Sequence, residues 1–176
     1  MKYILLLFIL FLSVTMARAQ YKPVDDGSAL NFTIGNFGFD VNGSFSGFQG
    51  KIDFDPQNTA NSNFDVTIDA GTVNTDNGLR DKHLKDDGYF DVINYPRIRF
   101  VSSKITSNGG HYTLTGQLTI KGKSKEIAFP FTAVPADNGY IFKGSFKINR
   151  KDFGVGGTST ISGELQVTLN VHAVKA

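Results

Sequence analysis

Phe64-Asp65-Val66-Thr67-Ile68-Asp69 puts an apolar side chain at every even position and a polar one at every odd position. Side chains of an extended strand alternate between two faces, so this stretch reads as a strand with one dry face and one wet face. The same rhythm continues in both directions. Toward the N-terminus, Phe48, Ile52 and Phe54 alternate with Gln49, Lys51, Asp53 and Asp55. Before them come Phe37, Phe39, Val41 and Phe45 in the opposite phase, and then Leu30, Phe32 and Ile34. Toward the C-terminus, Ile98 and Phe100 open a run, followed by Tyr112, Leu114, Leu118 and Ile120. Ile127, Phe129 and Phe131 come next, then Phe142, Phe146 and Ile148, and Leu165, Val167, Leu169 and Val171 close the chain. The pattern predicts about eight or nine strands, each apolar on one face only.

Polar turn clusters separate the runs: Asp55-Pro56-Gln57-Asn58, Ser107-Asn108-Gly109-Gly110, Ala136-Asp137-Asn138-Gly139 and Gly154-Val155-Gly156-Gly157. The phase changes near Gly35 and Gly47 predict bulges or sharp bends. One stretch leaves the β rhythm. Asn77 to Asp91 carries Leu79, His83, Leu84 and Phe90 among charges and reads as a short helix crossing one end of a sheet. One-sided strands with short connections point to an all-β fold, an antiparallel barrel or sandwich. Closure into a barrel removes exposed edges, and eight strands leave an interior that side chains fill or that holds one small ligand. Phe, bulky and without a polar handle, suits either outcome.

The N-terminus is read separately. Met1-Lys2-Tyr3, an apolar run from Ile4 to Leu12 and Ala17-Arg18-Ala19 form the basic start, apolar centre and small-residue cleavage site of an export signal. The run is shorter than the roughly 20 residues of a membrane-spanning helix. Residues 1–19 are therefore expected to be removed, leaving residues 20–176 as a single domain, periplasmic or secreted. The leader holds Lys2 and Arg18 and no acid, so of 18 basic and 16 acidic residues the remainder keeps 16 of each. A neutral chain has no overall field to draw nucleic acid or an anionic surface.

Much chemistry is excluded by residue type. Cys is absent from the 176 residues, which removes disulfides, thiolate metal sites and cysteine nucleophiles. His83, His111 and His172 have no metal-ligand spacing, so no metal is expected. There is no P-loop or nucleophile elbow, and the glycines at 154, 156 and 157 lack a dinucleotide pattern, so no cofactor is expected. Glu126 and Glu164 both sit in strands, which leaves a glycosidase-type carboxylate pair to Asp. The absence of Trp departs from an ordinary lipocalin.

One polar cluster stands out: Thr75, Arg80-Asp81-Lys82-His83-Leu84 and Asp86-Asp87. In one reading Arg80 and His83 clamp a ligand head group through charge-assisted hydrogen bonds. In the other, Arg80 and Asp81 form an ion pair that docks the helix, with His83 partly buried. Arg150, near Phe153-Gly154, has the same two readings.

Several ordered landmarks resemble the YceI-like family of lipid- or polyisoprenoid-binding proteins. Gly43-x-Phe45-x-Gly47-Phe48-x-Gly50-x-Ile52 is similar to its second-strand pattern, and Thr75 with Arg80-Asp81-x-His83-Leu84 to its T…RD-x-HL signature. Phe90-Asp91, Tyr95-Pro96-x-Ile98-x-Phe100-x-Ser102, Gly116-x-Leu118-Thr119-Ile120-x-Gly122 and Arg150-x-x-Phe153-Gly154 continue the series. Asp87-Gly88-Tyr89 departs from the family's usual lead into Phe90.

The resemblance implies an extended, lipocalin-like antiparallel β-barrel with an elongated apolar cavity for a polyisoprenoid, quinone or related amphiphilic lipid. The lining candidates are Phe32, Phe39, Phe54, Phe100, Leu118, Phe129, Phe142 and Phe146; the head-group candidates are Arg80, His83 and Arg150. Two rival readings stand beside this non-enzymatic carrier. One is a filled barrel acting through a protein partner. The other is a lumen enzyme in which Asp81, His83 and Arg80 move a proton on a lipid head group. A homodimer, the commonest soluble oligomer, is the self-association kept open.

Overall fold

The computed structural model describes residues 19–158 and 160–176. The leader read in residues 1–19 therefore lies, except for Ala19, outside the described residues. Eight strands follow in order: β1 Gln20–Asn36, β2 Phe39–Asp53, β3 Asn63–Asn74, β4 Arg97–Asn108, β5 His111–Ile120, β6 Lys123–Ala136, β7 Gly139–Asn149 and β8 Ile161–Lys175. Each pairs antiparallel with the next, and β8 pairs with β1 to close the barrel. Closure leaves every strand paired on both sides, so a sandwich, the other architecture the alternation allowed, is not formed.

The count is eight because the runs before and after Gly47 are one strand. The β2–β3 register shifts between Ser44 and Ser46 and again between Ser46 and Gln49. Gly47 sits there with φ of +75°, and a Cβ on it would stand 2.6 Å from Asp69 Cβ. The bulge frees two backbone donors, and Asp25 takes both: its Oδ1 accepts from Gly47 N and Phe48 N at 2.8 Å each. Asp25 lies in a second irregularity, where β1 slips against β8 between Val24 and Ala29. A side chain in one bulge thus completes the hydrogen bonding of the other. The bend expected near Gly35 is present as a register shift between Ile34 and Asn36.

The strand directions define two ends. A cluster of buried rings closes the aromatic end: Tyr21, Phe54, Phe64, Tyr112, Phe131 and Phe142 are buried there. Phe54 is its hub, with the rings of Tyr112, Tyr140 and Phe142 each 5.3 Å away in edge-to-face contact. The helical end carries the β1–β2 hairpin, helix α1 (Gly78–Leu84), the β5–β6 hairpin and a 3₁₀ turn at Arg150–Phe153. Asn77 caps α1, its side chain accepting from Arg80 N at 3.0 Å. The helix is shorter than the non-β stretch Asn77–Asp91. After Leu84 the chain turns back, with Phe90 N bonded to Leu84 O at 3.0 Å and Tyr95 N to Asp91 O at 2.8 Å.

Candidate functional site

The barrel axis holds two apolar chambers in line. The upper one, at the helical end, offers about 150 Å³ to the centres of water-sized groups, and the lower one about 120 Å³. Leu30, Ile68, Ile98, Leu118 and Phe146 border both, so the chambers meet at a waist. The upper chamber takes its walls from the inward row of β1 (Leu30, Phe32, Ile34, Asn36) and from Leu165, Val167 and Ile148 on the adjoining β8 and β7. Arg80 and Leu84 of α1, with Phe90, Phe153 and Val155, complete it.

Glycines explain why so many Phe residues leave the axis open. A Cβ on Gly43 would stand 2.2 Å from Phe32 Cζ, and one on Gly116 would stand 2.6 Å from Phe100 Cζ. Phe129 similarly lies against Gly144, with Cδ2 3.4 Å from a Cβ there. The Phe32 and Phe100 rings occupy the place of a missing side chain on the neighbouring strand, so they line the lumen instead of plugging it.

Of the lining candidates, Phe32, Leu118 and Phe146 border the upper chamber, and Phe100, Leu118, Phe129, Phe142 and Phe146 the lower. Two belong elsewhere. Phe54 is 4% exposed but packs inside the aromatic plug and borders neither chamber. Phe39 is 77% exposed. Its parity along β2 matches that of Val41 and Phe45, but it pairs with Asn36 at the β1–β2 hairpin. Alternation tells which way a side chain points, not whether the opposite wall reaches that height. Phe37 on the same hairpin, and Leu79 and Ile93 on the β3–β4 connection, are exposed as well.

The head-group candidates divide in the same way. Arg80 and Arg150 border the upper chamber; His83 does not. Arg80 and Leu84 turn inward, and the one-residue step back from Leu84 rotates His83 by about 100° around the helix. Its side chain is 66% exposed, lies 3.5 Å from Asp86 and meets the Tyr89 ring edge-to-face. The partial burial expected for His83 is therefore not seen.

The Arg80–Asp81 ion pair is also replaced by another arrangement. Both side chains are held by Thr75, which is 5% exposed. Thr75 N and Oγ1 donate to Asp81 Oδ1 at 2.9 and 2.5 Å. Arg80 donates from Nε to Thr75 Oγ1 and from Nη2 to Thr75 O, each at 2.7 Å. One threonine thus docks the first turn of α1 onto the end of β3. Arg150, 6% exposed, donates to the carbonyls of Val155 at 2.6 Å and of Ile161 and Ser162 at 2.9 Å. These bonds hold the β7–β8 connection and start β8.

The aliphatic share of the upper chamber (Leu30, Ile34, Ile148, Leu165) and Asn36 were absent from the sequence-level candidates. The aliphatic residues lie in the same alternating runs and were legible there. Asn36 was not, because a polar residue beside a turn is ordinary.

The YceI-like domain family matches residues 21–173. A UPF0312 protein of Yersinia enterocolitica is 29% identical, over 96% of this chain and 93% of its own length. The crystal structure of Burkholderia cenocepacia BcnA superposes with a TM-score of 0.76 at 29% identity, covering 82% of this chain and 94% of BcnA. A polyisoprenoid binding domain from Saccharophagus degradans, implicated in plant cell wall breakdown, shares the fold with a TM-score of 0.71 at 14% identity, covering 91% of this chain and 100% of the domain. With the match spanning all eight strands of the closed barrel, the chain belongs to the YceI-like family.

Proposed function

We propose that this protein is a non-enzymatic carrier that holds a polyisoprenoid, quinone or similar amphiphilic lipid inside its barrel. The observation that carries the reading is the pair of in-line chambers walled almost wholly by hydrocarbon. Burying a prenyl tail there gains roughly 0.8 kcal/mol per CH₂ without any polar contact. Phe32, Phe100, Leu118, Phe129, Phe142 and Phe146 contact the tail, and Arg80 lies toward the head. The polyisoprenoid binding domain that shares the fold supports the ligand class.

No carboxylate or imidazole borders either chamber among the described residues. Asp81 is engaged with Thr75 and His83 faces away, which favours a carrier over an enzyme acting by proton transfer. Export follows from the leader in residues 1–19, its removal placing residues 20–176 in the periplasm or outside the cell. A second reading, a barrel acting through a protein partner, draws on the exposed Phe37, Phe39, Leu79 and Ile93. These fall in two pairs, on the β1–β2 hairpin and on the β3–β4 connection, and the reading gives the chambers no role.

The test is a ladder of prenyl alcohols of increasing length, titrated into lipid-free protein. A carrier shows affinity rising steeply with each added unit until the chambers are full, then levelling. A flat response, or none, would contradict the reading.

A further inference from the structure

Large apolar side chains are exposed unevenly over the surface. Among the described residues six stand exposed: Phe37, Phe39, Leu79, Ile93, Tyr95 and Val134. Five lie at the helical end, Phe37 and Phe39 on the β1–β2 hairpin and the other three on the β3–β4 connection. Val134, on β6, lies toward the aromatic end. Single exposed residues are ordinary, but a cluster at one pole marks a contact surface.

The hairpin tip adds a second observation. Asn36 pairs with Phe39, so Phe37 and Gly38 form a two-residue turn, and both have positive φ, 50° and 83°. That geometry favours Asn-Gly. For a bulky aromatic residue the left-handed backbone is unfavourable, and the Phe37 ring, 75% exposed, gains little packing in return. Strain without a folding benefit is characteristic of functional positions. The tip is also continuous with the upper chamber. Val41 pairs with Ile34 and Ile34 with Leu165, and all three border the chamber. One rung further out, Asn36 stands between Ile161 and Phe39. Phe39 thus carries the inward row beyond the chamber into solvent. On another flank Arg80 borders the chamber, while the preceding residue, Leu79, is 82% exposed.

We propose that the helical end docks on a lipid bilayer, with the Phe37–Gly38–Phe39 tip and Leu79 inserted among the head groups, and that the upper chamber exchanges its amphiphile with that leaflet. The inference rests on the lipid-carrier reading and adds the surface through which the cargo passes. A prenyl tail moved from a bilayer to the chamber through water would expose its hydrocarbon on the way. Docking by the chamber end removes that step. A fluid bilayer takes up projecting apolar groups without a matching surface, whereas a protein partner needs shape complementarity. Residues 36–40, 75–96, 121–123 and 150–154, at this end, carry seven acidic and seven basic side chains. Insertion is therefore driven by apolar burial and not by attraction to anionic lipid.

The experiment floats the purified protein with phosphatidylcholine vesicles, with and without phosphatidylglycerol, at low and high salt. It also measures uptake of geranylgeraniol, offered either within the vesicles or free. Binding to the neutral vesicles is expected, changing by less than about twofold with phosphatidylglycerol or salt. Phe37→Asn is expected to weaken it about tenfold and to slow uptake from vesicles to match, while uptake of free geranylgeraniol stays the same. That variant installs the favoured Asn-Gly turn, so its melting temperature should not fall, which separates docking from folding. Leu79→Gln, on a different connection, should weaken vesicle binding in the same direction. Protein that takes up free geranylgeraniol yet does not bind vesicles overturns the docking and leaves the carrier standing. Vesicle binding unchanged in both variants overturns the assignment to this end. Self-association that Phe37→Asn dissociates, seen by sedimentation without vesicle binding, gives the patch to a second copy and overturns the proposal as well. Failure to take up geranylgeraniol in either form overturns the carrier, and the exchange with it.

Discussion

The Phe32 ring occupies the space that a side chain on Gly43 would need: a Cβ there would stand 2.2 Å from Phe32 Cζ and 2.9 Å from Thr75 Cγ2. The two residues face each other across the β1–β2 ladder. Gly43→Ala must therefore push the ring toward the barrel axis. Overpacking of this kind destabilises by about 1–3 kcal/mol. It also narrows the upper chamber, so long prenyl ligands are expected to bind several-fold more weakly. Phe32→Ala made on top of Gly43→Ala is expected to recover part of both losses, and urea unfolding with ligand titration of the double-mutant cycle measures that coupling.

Thr75 supports α1 through its hydroxyl. Thr75→Val keeps the volume and removes the group that bonds both Asp81 and Arg80. A destabilisation of about 1–3 kcal/mol is expected from the charged partners left short, and Thr75→Ser should retain most of the stability. Equal urea midpoints for Thr75→Val and the unaltered protein would show that the helix docks by packing alone.

Arg150 and His83 should separate cleanly. Arg150→Lys removes the planar fork that reaches three carbonyls and is expected to cost about 3 kcal/mol. His83→Ala, on the exposed side of α1, is expected to change stability by no more than about 0.5 kcal/mol and ligand affinity not at all. Thermal melts and prenol titrations of both variants check this. A clear loss of binding in His83→Ala would return that residue to the site.

Acid stability carries a signature of Asp65. Arg99 donates to its two oxygens at 2.8 and 2.6 Å, and that hydrogen bonding and charge hold the carboxyl below its usual range. A depressed folded pKa contributes stability above the unfolded value of about 3.9. The contribution is lost as pH falls through the folded value. Asp65→Asn is therefore expected to be less stable than the unaltered protein at pH 7 and to converge with it in strong acid. Urea midpoints followed downward from pH 7 test the sign, and a gap that persists at the acid end would assign the effect to something other than ionisation.

The sheet was legible because each strand is wet on one face, so alternation marks both its existence and its direction. The helix was legible because Asn77–Asp91 breaks that period. What escaped depends on distance along the barrel axis, which a period of two does not encode. Phe54 and Phe39 have the right residue type, yet one lies in the plug and the other on the exposed hairpin. Of the eight or nine strands the runs allowed, eight form, because at Gly47 a bulge shifts the phase inside a single strand. The Thr75 bridge was hidden for another reason. Arg80 and Asp81 are adjacent and opposite in charge, but consecutive helical residues point about 100° apart, so a third residue joins them.

The most direct measurement is native mass spectrometry on protein purified from the cells that make it, followed by solvent extraction and identification of what was bound. The account predicts one prenyl-tailed lipid per chain, released on denaturation and depleted by Gly43→Ala. Protein that leaves its cells empty and takes up no prenyl lipid when offered one would contradict it.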